Sequence, residues 1–297
     1  VWYYQTGYTG MNIGGDAKRL EDGRLLLFRP SGARIIEPWG ELVFDGEREH
    51  HHDVTPLPNG NLIMLRRRIE TLDVAEFGGP VEVKVDGIVE TDPEGAVVHE
   101  WWGSEHLDHQ DWPSTLGKNA EPFDWTHSNA VVYQEEFGRV LVSMRHHSAI
   151  YAIRWPEGEV LWRLGPGGDF AFEGEEDWFY NQHSPEPQAD GTLLLYDNGN
   201  ERPGGEQLSR ALLLDVDEQT MTASVVWGHW IDPGTPVQGD ADRLSNGNVL
   251  SCAGGVLSSG NPPRVIEATV DDASEIVWEL QLPGSGSIYR ATQIDGF

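Results

Sequence analysis

Short apolar runs alternate with polar turns along the whole chain, and glycine marks the turns. Gly23, Gly60, Gly191, Gly247 and Gly296 follow Asp or Asn, and Gly138 follows Phe137. Asn-Gly and Asp-Gly between apolar runs predict tight hairpins, because both residues tolerate positive φ. Leu25–Phe28, Leu62–Leu65, Val140–Ser143, Leu193–Tyr196 and Val249–Ser251 follow the first five turns as apolar strands. A third strand follows each: Arg34–Ile36, Val81–Val83, Ile150–Ile153, Ala211–Leu214 and Val265–Ala268. A fourth ends in an aromatic residue, at Phe44, Trp101, Trp162, Trp227 and Trp278. The six turns span 273 residues, a mean period of about 55. Four strands per repeat at that spacing predict an all-β fold, a six-bladed β-propeller of four-stranded antiparallel blades. One domain over residues 1–297 is expected, with blades starting near 14, 50, 126, 182, 238 and 288. The last blade would be closed by Val1–Thr9 or by residues beyond Phe297, which removes exposed edges. No sustained period of 3.6 competes with this reading.

Two insertions, from about Gly103 to Asp124 and from about Gly165 to Asn181, join an outer strand to the next inner strand. They therefore lie on the face where inner strands begin. At eight residues before the turn, repeats two and four carry His52 and His183, and His127 aligns with them in the longer hairpin of repeat three. Seven residues past the turn stand Arg67, Arg145 and Asn198 in the same repeats. Antiparallel pairing brings the two sets together at the mouth of the central channel. A single histidine opening a strand is commonly a structural hydrogen-bonding residue; three at one register point to chemistry. His50, His51, His146 and His147 read as supporting or orienting neighbours.

Three histidines could ligate zinc or copper. No carboxylate stands among them in a ligand spacing, and an arginine beside them suits an oxyanion better than a cation. No metal and no cofactor are therefore expected. There is no Gly-x-Ser-x-Gly elbow, and Gly165-Pro166-Gly167-Gly168 lacks the lysine of a phosphate loop.

Net charge is -29, from 49 acidic and 20 basic residues, and only Lys18, Lys84 and Lys118 are lysines. Nothing forms a basic stripe, which excludes a nucleic-acid partner. So acidic a chain with so little lysine suggests a high-salt, halophilic setting, where screening removes self-repulsion. The lone cysteine, Cys252, excludes an internal disulfide and reads as a small core residue. No run approaches the roughly 18 apolar residues of a membrane span. The chain begins at Val1, which suggests a processed product; a membrane anchor could lie outside it. Oligomeric state leaves no mark.

Over roughly Asp45 to Arg290 the sequence resembles the arylsulfate sulfotransferase family. The marks are His51-His52-Asp53-Val54 with Pro58-Asn59-Gly60-Asn61, then Asp124-Trp125-Thr126-His127-Ser128-Asn129, and Ser143-Met144-Arg145-His146. Asn181-Gln182-His183-Ser184, Leu195-Tyr196-Asp197-Asn198-Gly199 and Tyr289-Arg290-Ala291 complete them. The resemblance implies a six-bladed propeller that moves a sulfuryl group from an aryl sulfate donor to a phenolic acceptor without a nucleotide. It implies that His183 is transiently sulfated, that His127 and Arg145 hold the sulfuryl oxygens, and that His52 serves as acid and base. Asn129 would bind a further oxygen. Arg67, Asn198 and Arg290 join the expected substrate contacts, and Trp112, Trp125, Trp178, Phe179 and Tyr180 offer an aromatic wall. The family works outside the cytoplasm, so an extracytoplasmic location is expected. Within these 297 residues no counterpart is expected of the separate N-terminal sandwich domain or of the disulfide of the best-known bacterial form. The alternatives left open are a non-catalytic cell-surface binding propeller and a metal-dependent hydrolase or lyase using the three histidines.

Overall fold

The computed structural model describes residues 16–20, 22–29, 32–46, 50–119, 121–173, 178–205, 208–254, 262–282 and 287–293. These residues form five antiparallel sheets, each a meander that runs outward from its first strand. Blade one holds Asp16–Arg19, Leu25–Arg29, Gly32–Ile36 and Leu42–Asp45. Blade two holds His50–Pro56, Leu62–Val74, Gly79–Thr91 and Val97–Trp102. Blade three holds Ser128–Gln134, Arg139–Met144, Ala149–Arg154 and Val160–Leu164. Blade four holds His183–Pro187, Leu193–Asp197, Ser209–Asp217 and Thr222–Ile231, and blade five Asp240–Arg243, Val249–Ala253, Arg264–Ala268 and Ile276–Gln281. Among the described residues no helix is long and apolar enough to cross a membrane.

The apolar runs are continuous in the middle strands because both faces of each sheet are covered. Side chains alternate across a strand, so successive residues pack in different inter-blade cores. Met64 packs with Phe28 between blades one and two, while Ile63 and Leu65 pack with Val140 and Val142 between blades two and three. Leu193 and Leu195 join Leu141 and Ile150 between blades three and four, and Leu194 meets Ala241 and Val249 between blades four and five. A one-residue register slip would exchange these two cores, which is what pins the strand pairing.

The described structure corrects the expected count: it has five blades, not six. The sixth rested on the turn at Gly296 and on a closing strand from Val1–Thr9, and both lie outside the described residues. Residues 287–293 run without a strand. They nonetheless link blade five to blades one and two. The Ile288 N–H donates to Gly254 O at 2.9 Å, the Tyr289 hydroxyl donates to His52 O at 3.3 Å, and Arg290 reaches Asp16 and Asp53.

The insertions take definite places. Blade two's central hairpin is far longer than its apolar run suggests, with two strands of 13 residues each. The first insertion packs across this hairpin and ends with Phe123–Asp124 paired parallel to Val83 and Lys84. Asp124 is thereby delivered to the start of blade three. The second insertion adds Ala171–Glu173 in parallel to the outer strand of blade four.

Candidate active site

Each inner strand of blades two to four enters through a break in its ladder. Register shifts fall between His50 and Val54, between Ser128 and Ala130, and between His183 and Glu186. The backbone is left-handed at His52 (φ 60), His127 (φ 47) and Ser184 (φ 49). A bulge with positive φ re-aims the side chains at a strand end. Here it gathers the imidazoles: His52 and His127 lie edge to face with ring centroids 4.9 Å apart, and His183 is an electrostatic neighbour of both. Arg145, in the 3-10 turn Arg145–His147 after blade three's second strand, stands beside His127 and His183.

Each of the three rings is held through Nδ1. His183 Nδ1 lies 2.7 Å from Asn198 Oδ1. His127 Nδ1 lies 2.6 Å from Asp124 Oδ2. His52 Nδ1 lies 2.7 Å from His51 Nδ1, and His51 Nε2 stands 3.2 Å from Asp86 Oδ1. Among the described residues no protein group bonds Nε2 of His52, His127 or His183, so that nitrogen is the one available for chemistry. The partner on Nδ1 sets the tautomer and ring orientation.

Burial shapes the charges. It pulls His52 well below the usual imidazole range, with His127, His51, Arg67 and His183 adding to the shift. It does the same to His183, joined by Arg145 and only partly opposed by Asn198. His127 is also lowered by burial, while Asp124 works against the shift. Burial brings Arg145 down to about 10, still cationic at neutral pH. The Asp124 carboxyl, which burial alone would raise, is held at about 2 by His127 and Arg67. The site is thus neutral imidazoles facing a guanidinium.

Arg145 is itself oriented. Its Nη1 donates to His146 Nε2 at 2.9 Å and its Nη2 to Pro236 O at 3.0 Å, while Nε has no partner. His146 turns its Nδ1 to Asp124 O at 2.7 Å. Asn129 is buried; its Nδ2 donates to Gln182 O at 2.7 Å and its Oδ1 has no partner.

Other expected substrate contacts are already engaged. Arg67 donates through Nε to Asp86 at 2.9 Å, and its Nη2 stands 3.5 Å from Asp124. Asn198 holds His183 and donates to Thr235 O and Gln238 O, both at 2.7 Å. Arg290, with 9% of its side chain exposed, lies between Asp16 and Asp53 at 2.8 and 3.1 Å. The aromatic wall turns largely inward, because these rings find apolar partners in the inter-blade cores. Trp125 packs on Trp112 and His147 and donates to Asp111 O at 2.8 Å. Phe179 is fully buried, and Trp178 packs against it and Phe172. Tyr180 is half-buried, with its backbone tied to Asp197 and Gly199.

Sequence reasoning missed two carboxylates. Asp86 is buried and accepts from Arg67, from Thr126 Oγ1 at 2.7 Å and from Ser128 N at 2.6 Å, so it fixes the approach to His127 as well as His51. A lone acid inside the run Val85-Asp86-Gly87-Ile88-Val89 was the available signal, since a buried charge is rare unless paired. Asp124 stands three residues before His127 and corrects the view that no carboxylate accompanies the histidines. Asp124, His127 and His146 offer ligand atoms within 4.8 Å of one another. A cation there would compete with the hydrogen bonds these groups make to each other and to Arg145.

The fold and site define a β-propeller that carries, where the inner strands of three blades begin, a cluster of histidines backed by carboxylates and an amide and faced by arginine. Residues 1–290 match the family described as arylsulfotransferase (ASST), and the chain belongs to that family. The family supports sulfotransferase activity on small-molecule donors and acceptors. No curated protein sequence matches the chain. A protein of unknown function from Bacteroides caccae shares its fold with 13% identity and a TM-score of 0.52, over 92% of this chain and 84% of that one. The hydrazine synthase of Kuenenia stuttgartiensis shares it with 12% identity and a TM-score of 0.51, over 95% and 70%.

Proposed function

We propose that this protein transfers a sulfuryl group from an aryl sulfate to a phenol through a covalent intermediate on His183 Nε2. The observation that carries this reading is the common anchoring of His52, His127 and His183 through Nδ1, with Arg145 beside two of them. A neutral imidazole is a competent nucleophile, and a covalent intermediate divides one difficult transfer into two. In the first step the Nε2 lone pair bonds sulfur as the S–O(aryl) bond breaks, and the phenolate departs with that electron pair. In the second step the acceptor oxygen attacks sulfur, its proton passes to His52, and the N–S pair returns to His183. Charge on the three sulfuryl oxygens is met by Arg145, by the remaining Nδ2–H of Asn129, and by His127 once its Nε2 takes up a proton, the imidazolium being stabilised by Asp124 at Nδ1. A resting neutral His52 suits the role of base in the second step, with His51 and Asp86 stabilising the imidazolium it becomes. We take the protein to work outside the cytoplasm at high ionic strength, where a net charge of -29 repels itself least.

The test is phenol release from 4-nitrophenyl sulfate with and without an added phenol, using wild type, His183→Ala and His52→Ala. Release that rises with acceptor and disappears in His183→Ala is expected. Release indifferent to acceptor would replace transfer by hydrolysis, and none from folded protein across several donors would favour a binding propeller. Bound zinc or copper in stoichiometric amount, with activity lost on chelation, would shift the reading to the metal-dependent alternative.

A further inference from the structure

The three imidazoles do not have equivalent partners. Asp124 lies behind His127, and Asp86 lies behind His52 through His51. Behind His183 stands an amide. Its orientation is determined: Asn198 Nδ2 donates to two carbonyls, Thr235 O and Gln238 O, so a reversed amide would set oxygen against oxygen. Oδ1 therefore faces His183 Nδ1 and accepts its hydrogen. Asn198 is itself buried, at 2% exposure, and cannot rotate to offer another group.

This partner matters when Nε2 bonds sulfur. The ring then becomes cationic unless Nδ1 gives up its proton. A carboxylate on Nδ1 would draw that proton away and leave a strongly held N–S bond. An amide oxygen is far too weak a base to do so.

We propose that Asn198 is a positioning residue that keeps the sulfated His183 short-lived, by holding Nδ1–H on an acceptor that cannot take the proton. The nitrogen released in the second step then leaves as neutral imidazole. Arg145, His127 and Arg290, the charged or titratable groups that face His183, add to the preference for a neutral resting ring. The inference rests on the sulfohistidine reading and adds what governs the balance of its two steps.

The experiment compares wild type with Asn198→Asp, with 4-nitrophenyl sulfate as donor and phenol as acceptor. Nitrophenolate release is followed by stopped flow and the protein by intact mass. Wild type should turn over with little adduct present. Asn198→Asp should give a burst of about one equivalent, accumulate protein carrying one sulfuryl group, and return it to phenol slowly. Each unit by which a carboxylate raises the basicity of the leaving nitrogen slows departure by up to about tenfold, so a rise of about one unit should slow the second step by up to about tenfold. A wild type without acceptor-dependent release would remove the sulfohistidine reading itself. A wild type that transfers, beside a folded Asn198→Asp that does so without burst or adduct, would overturn the role of Asn198 alone. Because the aspartate loses both donors to Thr235 and Gln238, the wild-type protein supplies a second measurement. Nitrogen-15 NMR at neutral pH should show His183 as the Nδ1–H tautomer, and an Nε2–H tautomer would also overturn the proposal.

Discussion

Arg290→Met tests whether Arg290 is a clamp or a substrate ligand. The guanidinium is mostly enclosed and bonds the buried Asp16 at 2.8 Å, the buried Asp53 at 3.1 Å and Asn129 O at 3.3 Å. Asp53 also accepts from Lys18 at 2.7 Å and from Val131 N at 2.9 Å, so blades one, two and three meet on it. Burial works upward on the Asp53 carboxyl, yet Arg290 and Lys18 hold it at about 2. Removing one partner of a buried ion pair costs about 3–5 kcal/mol, since the remaining charge is left uncompensated. At roughly 2–4 °C per kcal/mol for a large domain, Tm should fall by about 10 °C at pH 7. The sign with pH follows from the Asp53 shift. A carboxyl depressed in the fold stabilises above its unfolded value of 3.8 and loses that contribution as pH falls toward 2. Arg290→Met forfeits this contribution, so its penalty is largest at neutral pH and shrinks below about pH 4.5. The assay is calorimetry of both proteins at pH 7 and near pH 3, inside the window where the Asp53 contribution is being lost, with turnover measured well below either Tm. An unchanged Tm with turnover abolished would refute the clamp and return Arg290 to the substrate.

Asp86→Asn removes the charge behind His51 and should lower kcat by about 10²–10⁴-fold. The loss should fall on transfer to the acceptor, where His52 takes the proton, and should largely spare the first release of 4-nitrophenolate; equal losses in both steps would indicate structural damage instead. Leu194→Ala empties a site between blades four and five and should cost about 2–5 kcal/mol in a urea titration, with the activity of the folded fraction retained. Burial lowers His50 and His146 to about 4 and His147 to about 3. Their contribution to stability is full above pH 6.5 and declines below it, by about 1.4 kcal/mol per histidine per unit, which urea midpoints at pH 7.5 and 5 would register. Asp242 is raised to about 6 by burial and by Glu186. Its favourable contribution is lost as pH rises through 6, so Asp242→Asn should raise Tm at pH 8 and leave it nearly unchanged at pH 4.

The blades were legible because hairpin chemistry is local. Gly23, Gly60, Gly191 and Gly247 adopt φ of 87, 88, 90 and 88, as their Asp-Gly and Asn-Gly settings demand. Their number was not legible, since a mean period averages unequal intervals and the sixth repeat rested on one turn at Gly296 and a closing strand assigned to Val1–Thr9. His52, His127 and His183 could be found by register because inner strands share an axis. Asp86 reaches Thr126 and Ser128 across forty residues or so of sequence, and no spacing rule announces that contact. Trp125 was legible as a large ring near His127 but not in its direction, which is onto Trp112 and His147.

His52 and His127 have a further consequence as backbone positions. Both hold left-handed conformations that cost an ordinary residue about 1 kcal/mol or more and cost glycine almost nothing. Screening a mutant library for heat resistance alone would therefore reward glycine at these two codons and enrich propellers that are tougher and inert. Improving such a protein by directed evolution calls for selection on turnover and on melting temperature together.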